Sequence, residues 1–190
     1  MNRNLLLVGA AAMALTLAAC GKKSEEAGMG APDANPSATI PTAANEAAAP
    51  DFVSKAALGD MFEIESSKIA LERATNPEVK AFAQTMVDMH TRTTADLKTA
   101  IGASGLTLAL PTALPEDKMK TLADLRAAKA EDFDKAYMDA QIDAHQATLD
   151  LMARYARDGD NATLMAAAAA TAPVVQQHLD KANALRKGLS

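Results

Sequence analysis

From residue 51 onward, apolar residues recur at alternating steps of three and four, the spacing of helices that bury one stripe. The first helix is expected to open at an Asp51 cap and to run to about Arg73. The second opens at Thr75-Asn76-Pro77-Glu78: the Asn caps, the Pro occupies the first helical position, and the Glu meets the positive end of the dipole. It runs to about Ala103, with Gly102 and Gly105 closing it. A longer connection, Leu106 to Pro115, leads to a short extra helix over Glu116–Lys129. The third main helix spans about Asp132–Arg157. Asp158-Gly159-Asp160-Asn161 stops it and caps the fourth, which reaches about Lys187. Short links between helices 1 and 2, and between 3 and 4, make those pairs antiparallel. The pattern predicts an all-α, up-down four-helix bundle over residues 51–190.

The first fifty residues follow a different pattern. An unbroken apolar run, Leu5–Ala19, follows Arg3; it is short for a membrane span and matches the core of a secretory signal. It ends in Leu17-Ala18-Ala19-Cys20, which resembles the lipobox of bacterial lipoproteins. Residues 1–19 are therefore expected to be a signal peptide, and Cys20 the lipidated residue that anchors the chain to a membrane. Gly21 and Lys22 follow the cysteine. With no Asp there, the outer membrane, facing the periplasm, is the expected address. Residues 20–50 are poor in large apolar side chains and interrupted by Pro32, Pro36, Pro41 and Pro50, the composition of a disordered tether. As a flexible coil it would reach about 30 Å.

Charge and composition narrow the function. The chain carries a formal net charge of −5. Removing the signal segment, whose one charged residue is Arg3, leaves 18 basic and 24 acidic side chains. That balance excludes nucleic acid as a partner, because phosphate binding needs a basic surface. Aromatics make up 3% and Trp is absent, while Ala and Met are abundant, so the core is slim and helical. One cysteine permits no internal disulfide. No Gly-rich phosphate loop, no G-x-S-x-G and no zinc-type cysteine pair occurs, so no catalytic residue is assigned.

Candidate chemistry lies on the buried seams. Helix 1 presents Phe52, Ala56, Gly59, Glu63, Ser66 and Ala70, and helix 2 presents Val79, Phe82, Met86, His90, Thr93 and Leu97. Helix 3 presents Met138, Ile142, His145, Leu149 and Met152; helix 4 presents Leu164, Ala168, Thr171, Val175, His178, Ala182 and Leu185. Each seam is broken by one strongly polar residue: Glu63, His90, His145 and His178, the last three being all the histidines of the chain. Counted from the turns, Glu63 is level with His90, and His145 with His178 to within about one turn. Burying such groups costs several kcal/mol unless they are paired or bound. Three arrangements answer that cost. One is a single ion (iron, zinc, copper or manganese) held by the three imidazoles and the carboxylate. The second is a hydrogen-bonded polar layer. The third is a register in which some of these residues face solvent. Tyr137 and Tyr155 are expected at the boundary with wet hydroxyls, and the ten methionines as core filler. Pro173 interrupts the ladder of helix 4 one turn before His178. A haem finds no evident pocket among many Ala and few aromatics.

The chain resembles the family known as domain of unknown function 4142, exported bacterial proteins. The resemblance rests on Asp51-Phe52-Val53 with Ala56-Ala57 and Glu63, on Val79-Lys80-Ala81-Phe82-Ala83-Gln84-Thr85-Met86-Val87-Asp88-Met89-His90, on Phe133-Asp134-Lys135-Ala136-Tyr137 with His145, and on Pro173 with His178-Leu179. It covers about Asp51–Leu185 and implies a ferritin-like fold. The family usually has an acidic residue where this chain has Met89, and often Leu where it has Ala172. A ferritin-like di-metal site needs Glu-x-x-His on two helices. Here Val87, Ile142 and Val175 stand three residues before the histidines, so at most one ion is expected. The expected function is a membrane-anchored envelope protein that binds one metal ion in stress protection. The alternative is a non-catalytic interaction module whose histidines form a structural layer.

Overall fold

Two asparagines start helices where the sequence places them. The Asn76 Oδ1 accepts hydrogen bonds from the backbone N–H of Glu78 and Val79, and the Asn161 Oδ1 from Thr163 and Leu164. In the computed structural model, which describes residues 47–189, these caps open two of five helices. They are α1 (Ala49–Arg73), α2 (Pro77–Ala103), α3 (Glu116–Ala127), α4 (Ala130–Asp158) and α5 (Ala162–Gly188). No strand occurs among the described residues, and no described helix is long and apolar enough to cross a membrane. Residues 1–19, expected to be a signal peptide, Cys20, and most of the segment expected to be a tether lie outside the described residues.

The start of α1 differs from expectation. The helix begins at Ala49, and Asp51 lies in its first turn rather than at its cap. Pro50, assigned to the tether, is therefore helical, and Ala49 is buried. The cap comes from elsewhere in the chain: the Ala49 N–H donates to Asp160 Oδ1 at 2.9 Å, across from the α4–α5 turn. Asp51 instead pairs with Lys55 at 3.0 Å.

Contacts at the two ends set the chain direction. At one end the Asp134 carboxylate of α4 accepts from the backbone N–H and hydroxyl of Thr75 and from the N–H of Asn76. At the other end the Asn161 side chain donates to Ser104 O, just after α2. Thus α1 and α5 run one way, α2 and α4 the other. Among the four long helices the packed pairs are α1–α2, α4–α5, α1–α4 and α2–α5, and each is antiparallel; α3 packs on α1 and α4. Segment 104–129 must cross the length of the bundle to connect α2 to α4, and it carries α3 on the way. One long crossover is the connectivity of ferritin-like bundles. Gly105 opens it at φ 76°, a left-handed conformation that costs a residue with a Cβ. The Arg73 guanidinium fastens α3 to the frame: it donates to the carbonyls of Leu125, Arg126 and Ala128 and lies 5.0 Å from the centre of the Phe133 ring.

The core has two halves. Phe62, Phe82, Met86, Phe133, Tyr137 and Met138 fill the end near Thr75; Phe52, Val53, Leu97, Met152, Tyr155 and Leu164 fill the end near Gly159. The tyrosines are not boundary residues, as the sequence suggested. Both are wholly buried. The Tyr137 hydroxyl is 2.8 Å from Ser67 Oγ, and the Tyr155 hydroxyl donates to Asp160 Oδ1 at 3.0 Å. Tyr155 also stacks on Phe52, ring centres 3.9 Å apart. At Gly159 a Cβ would lie 2.6 Å from the Tyr155 carbonyl oxygen, so only glycine fits beside this cluster. Tyr155→Phe keeps the stack and removes only the hydroxyl. It is expected to lower stability by about 1–2 kcal/mol, read by urea denaturation, because Asp160 loses one of the donors that hold the α1 cap.

Candidate metal centre

Between the two halves of the core, α2, α4 and α5 each project a histidine into the bundle. The ring centres of His90, His145 and His178 form a nearly equilateral triangle, 5.6, 5.9 and 5.5 Å on a side. One nitrogen from each ring lies within 4.8 Å of the other two. Nitrogens at 2.0–2.1 Å around a tetrahedral ion are about 3.4 Å apart, so a modest inward shift closes the triangle on an ion. Among the described residues this is the one grouping of three or more His, Cys, Asp or Glu with convergent donor atoms.

The partners of the remaining nitrogens orient the rings. His90 Nδ1 is 2.8 Å from Asp60 Oδ1. That carboxylate is itself held by hydroxyl donors, Thr93 on Oδ1 and Thr94 on Oδ2. His145 Nδ1 is 2.8 Å from the Gln141 carbonyl oxygen, which can only accept. Both contacts place the proton on Nδ1 and leave a lone pair on Nε2. His90 Nε2, His145 Nε2 and His178 Nδ1 are buried without a hydrogen-bond partner among the described residues. A carboxylate or carbonyl on the far nitrogen is how metal-binding histidines are oriented. The rings face one another without bonding one another, which a self-satisfied polar layer would require. Nor do they face solvent: the register read from the sequence holds for His90 and His145, which are fully buried, and for His178, which is half-buried.

Electrostatics keep two of the three donors available and favour a proton on the third. Burial pushes the His145 imidazole down to about 3, helped by His90 and His178, and burial with His90 pushes His178 down to about 4. Both are neutral near pH 7. Burial also opposes charge on His90, but the Asp60 hydrogen bond and the Glu63 and Asp60 charges together outweigh it and raise its pKa.

Glu63 is fully buried, but it is not at the meeting point of the three nitrogens. Its Oε1 lies 3.3 Å from His145 Nδ1, the nitrogen already committed to Gln141, and neither carboxylate oxygen has a hydrogen-bond partner among the described residues. Burial lifts its pKa to about 7. Level with His90 stands Asp60, not Glu63; Glu63 lies almost one turn nearer Thr75.

A family model described as "Domain of unknown function (DUF4142)" matches residues 34–185. The chain belongs to this family. No curated protein and no solved structure matches it. The DUF4142 match spans the three histidines, Asp60 and Glu63, yet its description names no activity, so the chemistry has to be argued from the site. Two of the residues that shape this DUF4142 site were missed in the sequence. Asp60 had a faint signal: it precedes Glu63 by one turn, and Thr93 and Thr94 follow His90 by one turn. Gln141 is wholly buried one turn before His145 and donates to Ser66 Oγ at 3.0 Å, while Ile142, placed on that seam, is only half-buried.

Proposed function

We propose that this protein is an envelope lipoprotein, anchored through Cys20, whose helical domain binds a single transition-metal ion through His90 Nε2, His145 Nε2 and His178 Nδ1. The observation that carries the metal reading is the convergence of three buried, unpartnered imidazole nitrogens, two of them with the opposite nitrogen held by a carboxylate or a carbonyl. An all-imidazole set without thiolate suits zinc, copper or iron better than manganese, which favours oxygen ligands. Holding an iron or copper ion in this site would keep it from free redox cycling at the membrane surface, and this is the role in envelope stress protection that we propose. The anchor rests on Leu17-Ala18-Ala19-Cys20.

The test is elemental analysis of the full-length protein, without a histidine tag, after exposure to iron, zinc, copper and manganese in turn. Close to one ion per chain is expected for at least one of the first three. Thermal unfolding should move to higher temperature as that ion is added, with about 4 kcal/mol of stabilisation at a free concentration a thousandfold above Kd. No retained metal and an unmoved transition would defeat the reading. For the anchor, Cys20→Ala should move the protein from the membrane fraction to the soluble fraction of the cell; continued sedimentation with membranes would argue against it.

A further inference from the structure

A cavity of about 490 Å³ opens between α2 and α5. Its walls include Thr93 and Leu97, which follow His90 on α2, Thr148 and Met152, which follow His145 on α4, and Val175, which precedes His178 on α5. All of these positions lie toward the Gly159 end; of the three histidines only His90 lines the cavity, with Asp60 beside it, so the cavity begins next to the triangle on its Gly159 side. The opposite axial face is filled by Glu63, Gln141, Phe82 and Met86, all buried. A smaller cleft of about 240 Å³ reaches His178 from outside, bordered by the charged Glu78 and Lys181.

The space has a cause in the sequence. Residues 166–170 of α5 are five consecutive alanines, and α1 contributes Ala56; three of these alanines on α5 line the cavity. Protein cores close such gaps, because an unfilled void costs about 24 cal/mol per Å³. The volume and the largely apolar lining are those of a small-molecule pocket.

Resting on the metal reading above, we infer that the ion at the three histidines keeps one coordination position open toward this cavity, and that the position and the cavity together bind a small amphipathic monoanion, an apolar body with a single carboxylate-type head. Among the described residues no side chain is placed to take the fourth position. Glu63 lies behind His145, and both Asp60 oxygens are engaged by His90, Thr93 and Thr94. Three protein ligands with an open site are the arrangement of metal centres that bind exogenous ligands. A dication there would attract an anionic head to the open position, and the cavity wall carries Arg92 beside the carboxylates Asp60 and Asp96. The apolar walls then select a head that carries a hydrocarbon body.

Cobalt(II) makes the open position visible, because its absorption spectrum changes with the fourth ligand. The cobalt-loaded full-length protein is titrated with octanoate, acetate and octanol. Octanoate should change the spectrum and bind at least roughly thirtyfold more tightly than acetate, since each buried methylene adds affinity; octanol should leave the spectrum unchanged. Ala170→Phe, at an exposed position on the cavity mouth, and Ala167→Leu should each weaken octanoate at least tenfold while preserving acetate binding and cobalt stoichiometry. Retained cobalt with no preference for octanoate over acetate overturns this inference and leaves the metal reading standing. So does tight octanoate binding unaffected in whichever variant still holds cobalt. Failure to retain cobalt, zinc, copper or iron overturns the metal reading, and this inference with it.

Discussion

A chain carrying His145→Ala should retain no stoichiometric metal. His145 is 1% exposed, its imidazole is neutral near pH 7, and its Nδ1 is tied to the Gln141 carbonyl so that Nε2 points at the other two histidines. Removing it leaves two nitrogens, from α2 and α5, and no described carboxylate placed to replace the third. Loss of an orienting partner alone typically costs 10–100-fold in metal affinity, and loss of a ligand costs more. A drop of roughly a thousandfold or greater in affinity is therefore expected, read by competition with a chelating indicator. Asp60→Asn is the graded control. The amide oxygen still accepts from His90 Nδ1, but the negative charge is gone, so binding should weaken by about 10–100-fold and persist. Undiminished binding by His145→Ala would place the ion elsewhere.

Glu63→Gln should make the metal-free protein more stable at pH 8 and leave it nearly unchanged near pH 4. Burial is the main reason the Glu63 carboxyl titrates at about 7 instead of 4.5, with Asp60 adding to it and His90, Gln141 and Lys118 opposing. The folded chain therefore holds the Glu63 proton more tightly than the unfolded chain does. Stability associated with that proton is fully present below the unfolded value, falls as pH rises through the window from 4.5 to about 7, and is lost above it. The size of the loss is about 3 kcal/mol. Glutamine has nearly the same shape and carries no charge at any pH, so the variant escapes it. Urea denaturation of both proteins at half-unit steps from pH 4 to 8 reads the effect, together with the loss of the Glu63 charge that helps raise the His90 pKa. A difference that does not grow with pH would contradict the raised value. Saturating metal should shrink the difference, because a dication one residue away favours the ionised carboxylate.

Much of this site was legible because periodicity is a local property. The spacing of His90, His145 and His178 along their own helices is enough to turn each toward the core, whatever the helices pack against. The Asn76 and Asn161 caps are legible for the same reason, since each is satisfied within three residues. The start of α1 was not, because its cap is Asp160, more than a hundred residues away.

Pairing across helices follows a different rule. Whether His90 meets Asp60 or Glu63 depends on the axial stagger of α1 against α2, and an offset of less than one turn, about 5 Å, exchanges one carboxylate for the other. That offset is set by how side chains interdigitate along the whole interface and by the Thr75-Asn76 turn held on Asp134. The same holds for Gln141 in place of Ile142, for the buried hydroxyls of Tyr137 and Tyr155, and for the cavity left by the α5 alanines. The sequence by itself determined the helices, their inward faces and the three histidines as a set. Only the tertiary structure decided which carboxylate stands behind His90, that Glu63 lies behind His145, and that a cavity lies beside His90 on the Gly159 side, because these depend on contacts between helices whose relative heights no single helix encodes.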